Sequence, residues 1–157
     1  MKVLIAASSG ENFDAAIDFL KGNIWAPHTV FNLVHVLEPS EVTDLWLSLS
    51  GATRHREIMQ ERQTHALERL AQLKLQCVEG VGENPNIQTS VVIGQLDESV
   101  SRLAKEWQAD LVVLGLPKAT FIGRYSQGIS FAHMMQESPC PITFARPRPA
   151  VQPKRAS

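Results

Sequence analysis

The stretch KVLIAA at residues 2–7, followed by SSGEN at residues 8–12, decides the fold. An apolar run without polar alternation is typical of a strand buried on both faces, as in parallel sheets. The small residues and the glycine behind it indicate a turn that opens a helix. The stretch therefore predicts the first strand-to-helix unit of an α/β domain.

Four further apolar runs repeat this pattern along the chain. They predict strands near residues 29–37, 87–93, 110–116 and 140–145. Helical stretches separate them at residues 12–22, on a long segment ending near Gln76, at 97–108 and at 129–138. This alternation predicts a Rossmann-like, three-layer α/β sandwich, in which a five-stranded parallel sheet with right-handed crossovers carries helices on both faces.

The segment 41–76 joins the second and third predicted strands. We expect its buried stripe at helical spacing to consist of Ile58, Leu67, Leu70 and Leu73. The solvated side is expected to carry Glu57, Arg62 and Glu68. The front part, residues 44–56 with Trp46, is interpreted as a loop or short helix that covers one edge of the sheet. A patch for a protein partner is the alternative.

Composition and charge limit the classes of function. A chain of 157 residues suits one domain, predicted at 1–146, with a flexible, proline-rich basic tail at 147–157. The chain has fifteen basic and 16 acidic residues, so it has no excess of positive charge that would attract nucleic acid or an anionic membrane, and neither is expected as a partner. The chain has no long apolar run and no signal-peptide pattern, which predicts a cytoplasmic protein. Its two cysteines, Cys77 and Cys140, are expected to be buried thiols.

The titratable residues favour structural roles over catalysis. We interpret His35 as a strand histidine bonded to a neighbour, and Asp97 with Glu98 as charges at a helix N-terminus. His133 has no carboxylate at a sequence spacing that would orient it. No local motif assembles a nucleophile with its base or a metal site, so we predict no catalytic residue and no metal ligand.

Three loops are candidates for binding, because ligands of open α/β sheets sit outside the carboxyl ends of the strands. They are residues 6–12, 92–99 and 115–130. The third loop, with the strands beside it, reads DLVVLGLPKATFIGRYSQGISFAHMMQESPCPITFARP at 110–147 and resembles the C-terminal half of the universal stress protein A (UspA) family. The resemblance extends to residues 91–115, to KVLIAASSGEN and to LVHVLEP at 33–39, and so covers residues 1–146. It implies the adenine nucleotide alpha hydrolase-like version of the fold.

The family's ATP-binding members carry Gly, two residues, Gly, nine residues, then Gly and Ser or Thr, which lets backbone amides approach phosphates. Gly115 and Gly128 match this motif, whereas Lys118 replaces the middle glycine and Ile129 replaces the hydroxyl residue. Lys118 either crowds the phosphate or pairs with it through its ammonium group. A hydroxyl from Ser130 or Ser126 is an alternative to the one that Ile129 lacks.

The first strand carries a similar change, because the resemblance places Ser8 where ATP-binding relatives usually have Asp. The full cofactor-binding set implied by the resemblance is Ala6, Ser8, Ser9, Val36, Gly94, Leu114, Gly115, Lys118, Gly128, Ile129 and Ser130. For Ser9, an ordinary strand-to-helix turn is the alternative. The implied cofactor is ATP or AMP, bound through a degraded motif, with no metal expected without nucleotide.

The resemblance therefore implies a cytosolic stress-response module that acts through protein contacts. It also implies a homodimer formed through the last strand, Cys140 to Arg146, and a regulatory protein partner that the sequence does not identify. The alternative is an ATP-binding relative with slow ATP hydrolysis or phosphotransfer, which would need a carboxylate where Ser8 stands. A third hypothesis is that Lys118 and Arg124 adapt the pocket to another anionic ligand.

Overall fold

The computed structural model describes residues 1–8, 12–38, 52–116 and 131–147. Within them the strands are β1 (Lys2–Ala7), β2 (Val30–Leu37), β3 (Asn86–Ile93), β4 (Leu111–Gly115) and β5 (Ile142–Ala145). The helices are α1 (Asn12–Lys21), α2 (Ala52–Gly80), α3 (Leu96–Trp107) and α4 (Phe131–Glu137). The five strands form one sheet in the order β3-β2-β1-β4-β5, and every neighbouring pair is parallel. The predicted fold class is confirmed.

The core has two halves, one on each face of the sheet, because successive strand residues point in opposite directions. Val3 and Ile5 of β1 pack in the half covered by α1 and α2. Leu4 and Ala6, also on β1, pack in the half covered by α3 and α4, where Met134 is fully buried. Burial on both faces explains why the strands appear in the sequence as unbroken apolar runs.

Helix α2 differs from its prediction in length and in its buried side. It continues past Gln76 to Gly80, and Leu67 is 53% exposed instead of belonging to the stripe. Ile58 is only half-buried, and the residues of α2 that are fully packed are Ala66, Leu70, Leu73 and Cys77. Residues at these spacings share one side of a 3.6-residue helix, whereas Leu67 is turned away from Ala66 by about 100°.

Other predictions have mixed outcomes. Cys77 is buried as expected, whereas Cys140, just before β5, is only partly buried and packs against the core half below α3 and α4. Arg62 is also not simply solvated, since its guanidinium donates a 3.1 Å hydrogen bond to the carbonyl oxygen of Glu38. Residues 44–51 of the Trp46 segment and the tail from residue 148 lie outside the described residues, whereas residues 52–56 form the start of α2. Within the described ranges, no helix is long and apolar enough to cross a membrane.

Candidate functional site

The candidate site lies at the carboxyl ends of β1 and β4, where the strand order reverses. From β1 the chain adds β2 and β3 on one side, and it then returns to place β4 on the other side. Ser8 follows β1 and Leu116 follows β4, so both residues lie at this crevice. Ligands of open α/β sheets bind at such a reversal.

Predicted site residues from three neighbouring strands come together below the crevice. Ala6 of β1 lies opposite Leu114 of β4 in the sheet register, and Val36 of β2 belongs to the same face. All three side chains are fully buried among the residues that pack on α3 and α4. Gly115, the last residue of β4, is buried beside Ala145. These residues form an apolar floor under the carboxyl edge.

Gly94 shapes the same edge at the end of β3. Its N–H donates a 3.1 Å hydrogen bond to the carbonyl oxygen of Leu37, which ends β2. Its φ angle is +152°, and a Cβ at this position would lie 2.9 Å from Oγ of Ser99. Glycine is therefore required here on conformational and steric grounds. Gly94 lies beyond β2, two strands from the β1–β4 crevice.

The phosphate-binding half of the predicted site lies outside the described residues. It comprises Ser9, Lys118, Gly128, Ile129 and Ser130, together with Ser126 and Arg124. Their roles therefore stay predictions.

His35 lies at the same edge but on the face covered by α1 and α2. It is paired in register with Ala7, and its ring centroid is 5.8 Å from that of Phe13. Burial is the main cause that lowers the pKa of His35, and the charge of Arg62 lowers it further. The backbone of Ser8 lies close enough to the side chain of His35 to raise this pKa, whereas Nδ1 of the ring is buried without a hydrogen-bond partner among the described residues. The imidazole is therefore neutral and lies beside the backbone of Ser8 at the crevice.

Two carboxylates at this edge are engaged by the N-terminus of α3. Oε1 of Glu38 accepts a 3.0 Å hydrogen bond from the N–H of Leu96, and Oδ1 of Asp97 accepts one of 2.9 Å from the N–H of Glu98. Burial raises the pKa of Glu38, and the nearby charge of Asp97 adds to this effect. Asp97 and Glu98 confirm the predicted acidic helix start. The sequence analysis did not predict that Glu38 caps α3, although an acidic residue directly after a strand was a signal for such a role.

A carboxylate that no sequence spacing indicates lies near His133. Its Nδ1 lies 4.0 Å from Oδ2 of Asp97, which is largely buried. Eight residues further along α3, Lys105 binds Glu137 of α4 at 2.9 Å. Packing of α3 beside α4 brings these pairs together, and no sequence spacing indicates it. In the portion of the chain described, no group of three His, Cys, Asp or Glu residues is arranged to hold a metal ion.

Comparisons with known proteins agree with this architecture. The hypothetical protein MJ0577, whose structure was used to assign its biochemical function, is 15% identical, with a TM-score of 0.70 and coverage of 94% of this chain and 96% of that one. A universal stress protein of Arabidopsis thaliana solved with AMP bound is 15% identical, with a TM-score of 0.61 and coverage of 99% and 97%.

A third solved structure, a universal stress protein in complex with cAMP, is 13% identical, with a TM-score of 0.56 and coverage of 92% and 95%. At these identities the structures establish similarity of fold. No curated protein matches the sequence significantly. The profile of the universal stress protein family matches residues 1–146. The chain therefore belongs to the universal stress protein family.

Proposed function

We propose that this universal stress protein is a regulatory module of the cytosol that binds an adenine nucleotide as a stabilising or signalling ligand. The ligand would occupy the crevice at the carboxyl ends of β1 and β4. Support comes from the reversal of strand order at this crevice, beneath which Ala6, Val36 and Leu114 form the apolar core. It also comes from two structural neighbours that hold AMP and cAMP.

One observation carries the choice of a regulatory ligand over a substrate. The carboxylates of Glu38 and Asp97 both accept hydrogen bonds from backbone amides at the start of α3. Ser8, at the end of β1, provides no negative charge. Phosphoryl transfer relies on a carboxylate that holds a metal ion or orients the attacking nucleophile. Of the described residues that follow β1 and β4, Ser8 and Leu116, neither carries a carboxylate for that task.

The three departures from the family's nucleotide-binding motif are expected to weaken nucleotide binding. Ser8 is a poorer acceptor for an adenine amino group than a carboxylate, because hydrogen bonds to ionised groups are about twice as strong as neutral ones. Lys118 and Ile129 alter the loop expected to hold phosphates. The proposed affinity is therefore lower than that of relatives with the intact motif.

Thermal unfolding with millimolar AMP, cAMP or ATP and magnesium tests this proposal, since a ligand of the native state must raise the midpoint. We expect a small rise for the native chain and a larger one for Ser8→Asp. Thr64→Asp, an exposed position on α2, is the matched control and should respond like the native chain. Equal midpoints with and without nucleotide, for both the native chain and Ser8→Asp, would refute nucleotide binding. Sustained release of ADP from ATP would instead favour the hydrolase alternative.

We also propose that two copies join through the last strand, Cys140 to Arg146. In support, β5 is an edge strand that pairs only with β4 in the described sheet. Pairing with a second copy would satisfy its outer backbone groups. Sedimentation equilibrium of Thr143→Lys tests this interface. A charge at its centre should shift the protein toward monomer, and unchanged association would exclude this interface.

A further inference from the structure

Within the described residues, the sheet edge at β3 lacks the features that usually protect an edge strand. In the described chain β3 pairs only with β2. Its eight residues, NIQTSVVI, include no charge and no proline. Natural edge strands are commonly protected by shortness, charge or proline. At the opposite edge, β5 has only four residues, between Pro141 and Arg146. The β3 edge is therefore a second and longer place where another strand can pair.

Helix α2 adds an apolar stripe beside this edge. Arg69 of α2 binds Asp14 of α1 at 3.0 Å, which identifies the side of α2 that faces α1. Leu67 precedes Arg69 by two residues and is thus turned about 200° away from it. Val78 comes eleven residues after Leu67 and therefore lies at nearly the same angle around the helix axis. Ala71 lies one turn after Leu67 on this side of the helix. Leu67 and Val78 are 53% and 44% exposed. We call Leu67, Ala71 and Val78 the outer stripe.

We infer that the β3 edge and the outer stripe bind the same surface of a second copy of this chain, with the two β3 strands antiparallel about a two-fold axis at Thr89. In this register Ile87 of one copy lies opposite Val91 of the other, on the face covered by α2. Thr89 of one copy lies opposite Thr89 of the other. Cross-strand pairs of β-branched residues and of threonines stabilise antiparallel sheets. No like charges meet, because β3 carries none.

The position of α2 suits this arrangement. Its buried side packs in one cluster with Leu33 of β2 and Ile87 of β3, so the helix lies above and between these strands. Strands in a sheet are about 4.8 Å apart, which places α2 about 2.4 Å inward from β3. Joining two β3 strands would then set the two α2 axes about 10 Å apart. Packed helices are separated by 8–10 Å, so the two outer stripes would meet.

The size of the surface is sufficient for a stable contact. An eight-residue strand edge is about 26 Å long, and the sheet with its helix layer is roughly 20 Å high. Such a face covers about 520 Å² per copy, or about 1,000 Å² for the two copies together, which reaches the lower bound for a specific interface. Glu68 and Glu79 follow Leu67 and Val78 by one residue, on the solvent side of each helix. Salt should therefore tighten the association by screening these carboxylates.

Cysteine cross-linking tests the register directly. In a Cys140→Ser background, the Thr89→Cys residues of two copies would have Cα atoms about 5 Å apart, within the range for a disulfide. Gln88→Cys is the matched control, because its Cα atoms would be about 8 Å apart, beyond that range. We expect covalent dimers for Thr89→Cys and few for Gln88→Cys under mild oxidation. Equal or absent cross-linking of the two variants would overturn the proposed pairing.

Sedimentation equilibrium separates this surface from the last strand. We expect Leu67→Glu to weaken association at least tenfold, and Arg102→Glu, an exposed position of α3 on the opposite face of the sheet, to leave it unchanged. Circular dichroism checks that both variants are folded. Association of the native chain should strengthen with salt. If Leu67→Glu associates like the native chain, and only Thr143→Lys in β5 disrupts association, the β3 surface is not an interface.

Discussion

The carboxylate of Glu38, the residue after β2, accepts a 3.0 Å hydrogen bond from the backbone N–H of Leu96, the first residue of α3. The N-cap residue itself, Gln95, makes no side-chain cap hydrogen bond. A helix start is normally stabilised by its own capping side chain. Here a side chain 58 residues earlier in the chain does so, which ties α3 to the carboxyl edge of the sheet.

Glu38→Ala should therefore destabilise the protein by about 1 kcal/mol, the typical value of a helix cap. Urea unfolding followed by circular dichroism measures the change. Glu38→Gln is the control, since its amide oxygen still accepts the hydrogen bond, and it should not show the loss of stability expected for Glu38→Ala. Equal losses for both substitutions would mean that the negative charge matters, not the cap.

Glu38 also predicts a pH effect with a defined sign. Its pKa is raised from 4.5 in the folded state, so the folded chain holds this proton more tightly than the unfolded chain does. The resulting stability is present below pH 4.5 and is lost as the pH rises through the folded pKa. Glu38→Gln should gain stability relative to the native chain over that interval. A constant difference from pH 4 to 7 would contradict this.

His35 should make the protein sensitive to mild acid. Because burial lowers its pKa below 6.5, the unfolded chain binds this proton more strongly than the folded chain does. Its contribution is fully present above pH 6.5 and is lost as the pH falls toward the folded pKa, by at most about 1.4 kcal/mol per pH unit. Urea unfolding between pH 7.5 and 5 should show a steeper decline for the native chain than for His35→Gln. Parallel curves would exclude His35 as the cause.

Gly94→Ala should destabilise the protein by about 2 kcal/mol through two separate effects. The positive φ angle costs energy for any residue with a Cβ, and that Cβ would lie 2.9 Å from Oγ of Ser99. In a Ser99→Ala chain the steric contact is absent and only the backbone strain is left. Gly94→Ala should therefore cost less stability in that chain than in the native one. Urea unfolding measures both costs. If Gly94→Ala costs no stability in the Ser99→Ala chain, the backbone strain is negligible.

The two thiols should react at different rates with a thiol reagent at pH 8. Cys77 is 1% exposed and burial raises its pKa to about 11, whereas Cys140 is only partly buried, although burial raises its pKa too. The thiolate is the reactive form, so Cys77 should react only when the protein opens. Cys140→Ser should remove the faster phase. Rapid modification of one thiol in Cys140→Ser would mean that Cys77 is accessible.

Two adjacent methionines of α4 offer a matched pair. Met134 is fully buried in the core half below α3, and Met135 is 66% exposed. Met134→Ala should cost about 2–5 kcal/mol by loss of burial and creation of a cavity. Met135→Ala should change stability by less than about 0.5 kcal/mol, as exposed substitutions usually do. Thermal and urea unfolding of the two variants measure this difference, and similar losses would contradict the packing of α4.

Sequence patterns predicted the elements better than they predicted the sides that the elements bury. The strands were recognisable because burial on both faces leaves continuous apolar runs such as residues 3–7. In α2, leucine at position 67 satisfied helical spacing equally well, yet Ala66 is the buried residue. Apolarity alone does not say which of two neighbouring helix sides meets the sheet, because the rotation of a helix is decided by packing.

The sequence by itself determined the class of fold, because apolar strands alternate with helices along the chain. A parallel sheet covered by helices on both faces is the arrangement that buries all of these strands. The sequence also placed Ala6, Val36 and Leu114 at strand ends. Only the tertiary structure decided that Glu38 caps α3 and that Asp97 lies beside His133. These contacts join residues far apart in the chain, and their distances depend on how strands and helices pack against one another, which no local spacing records.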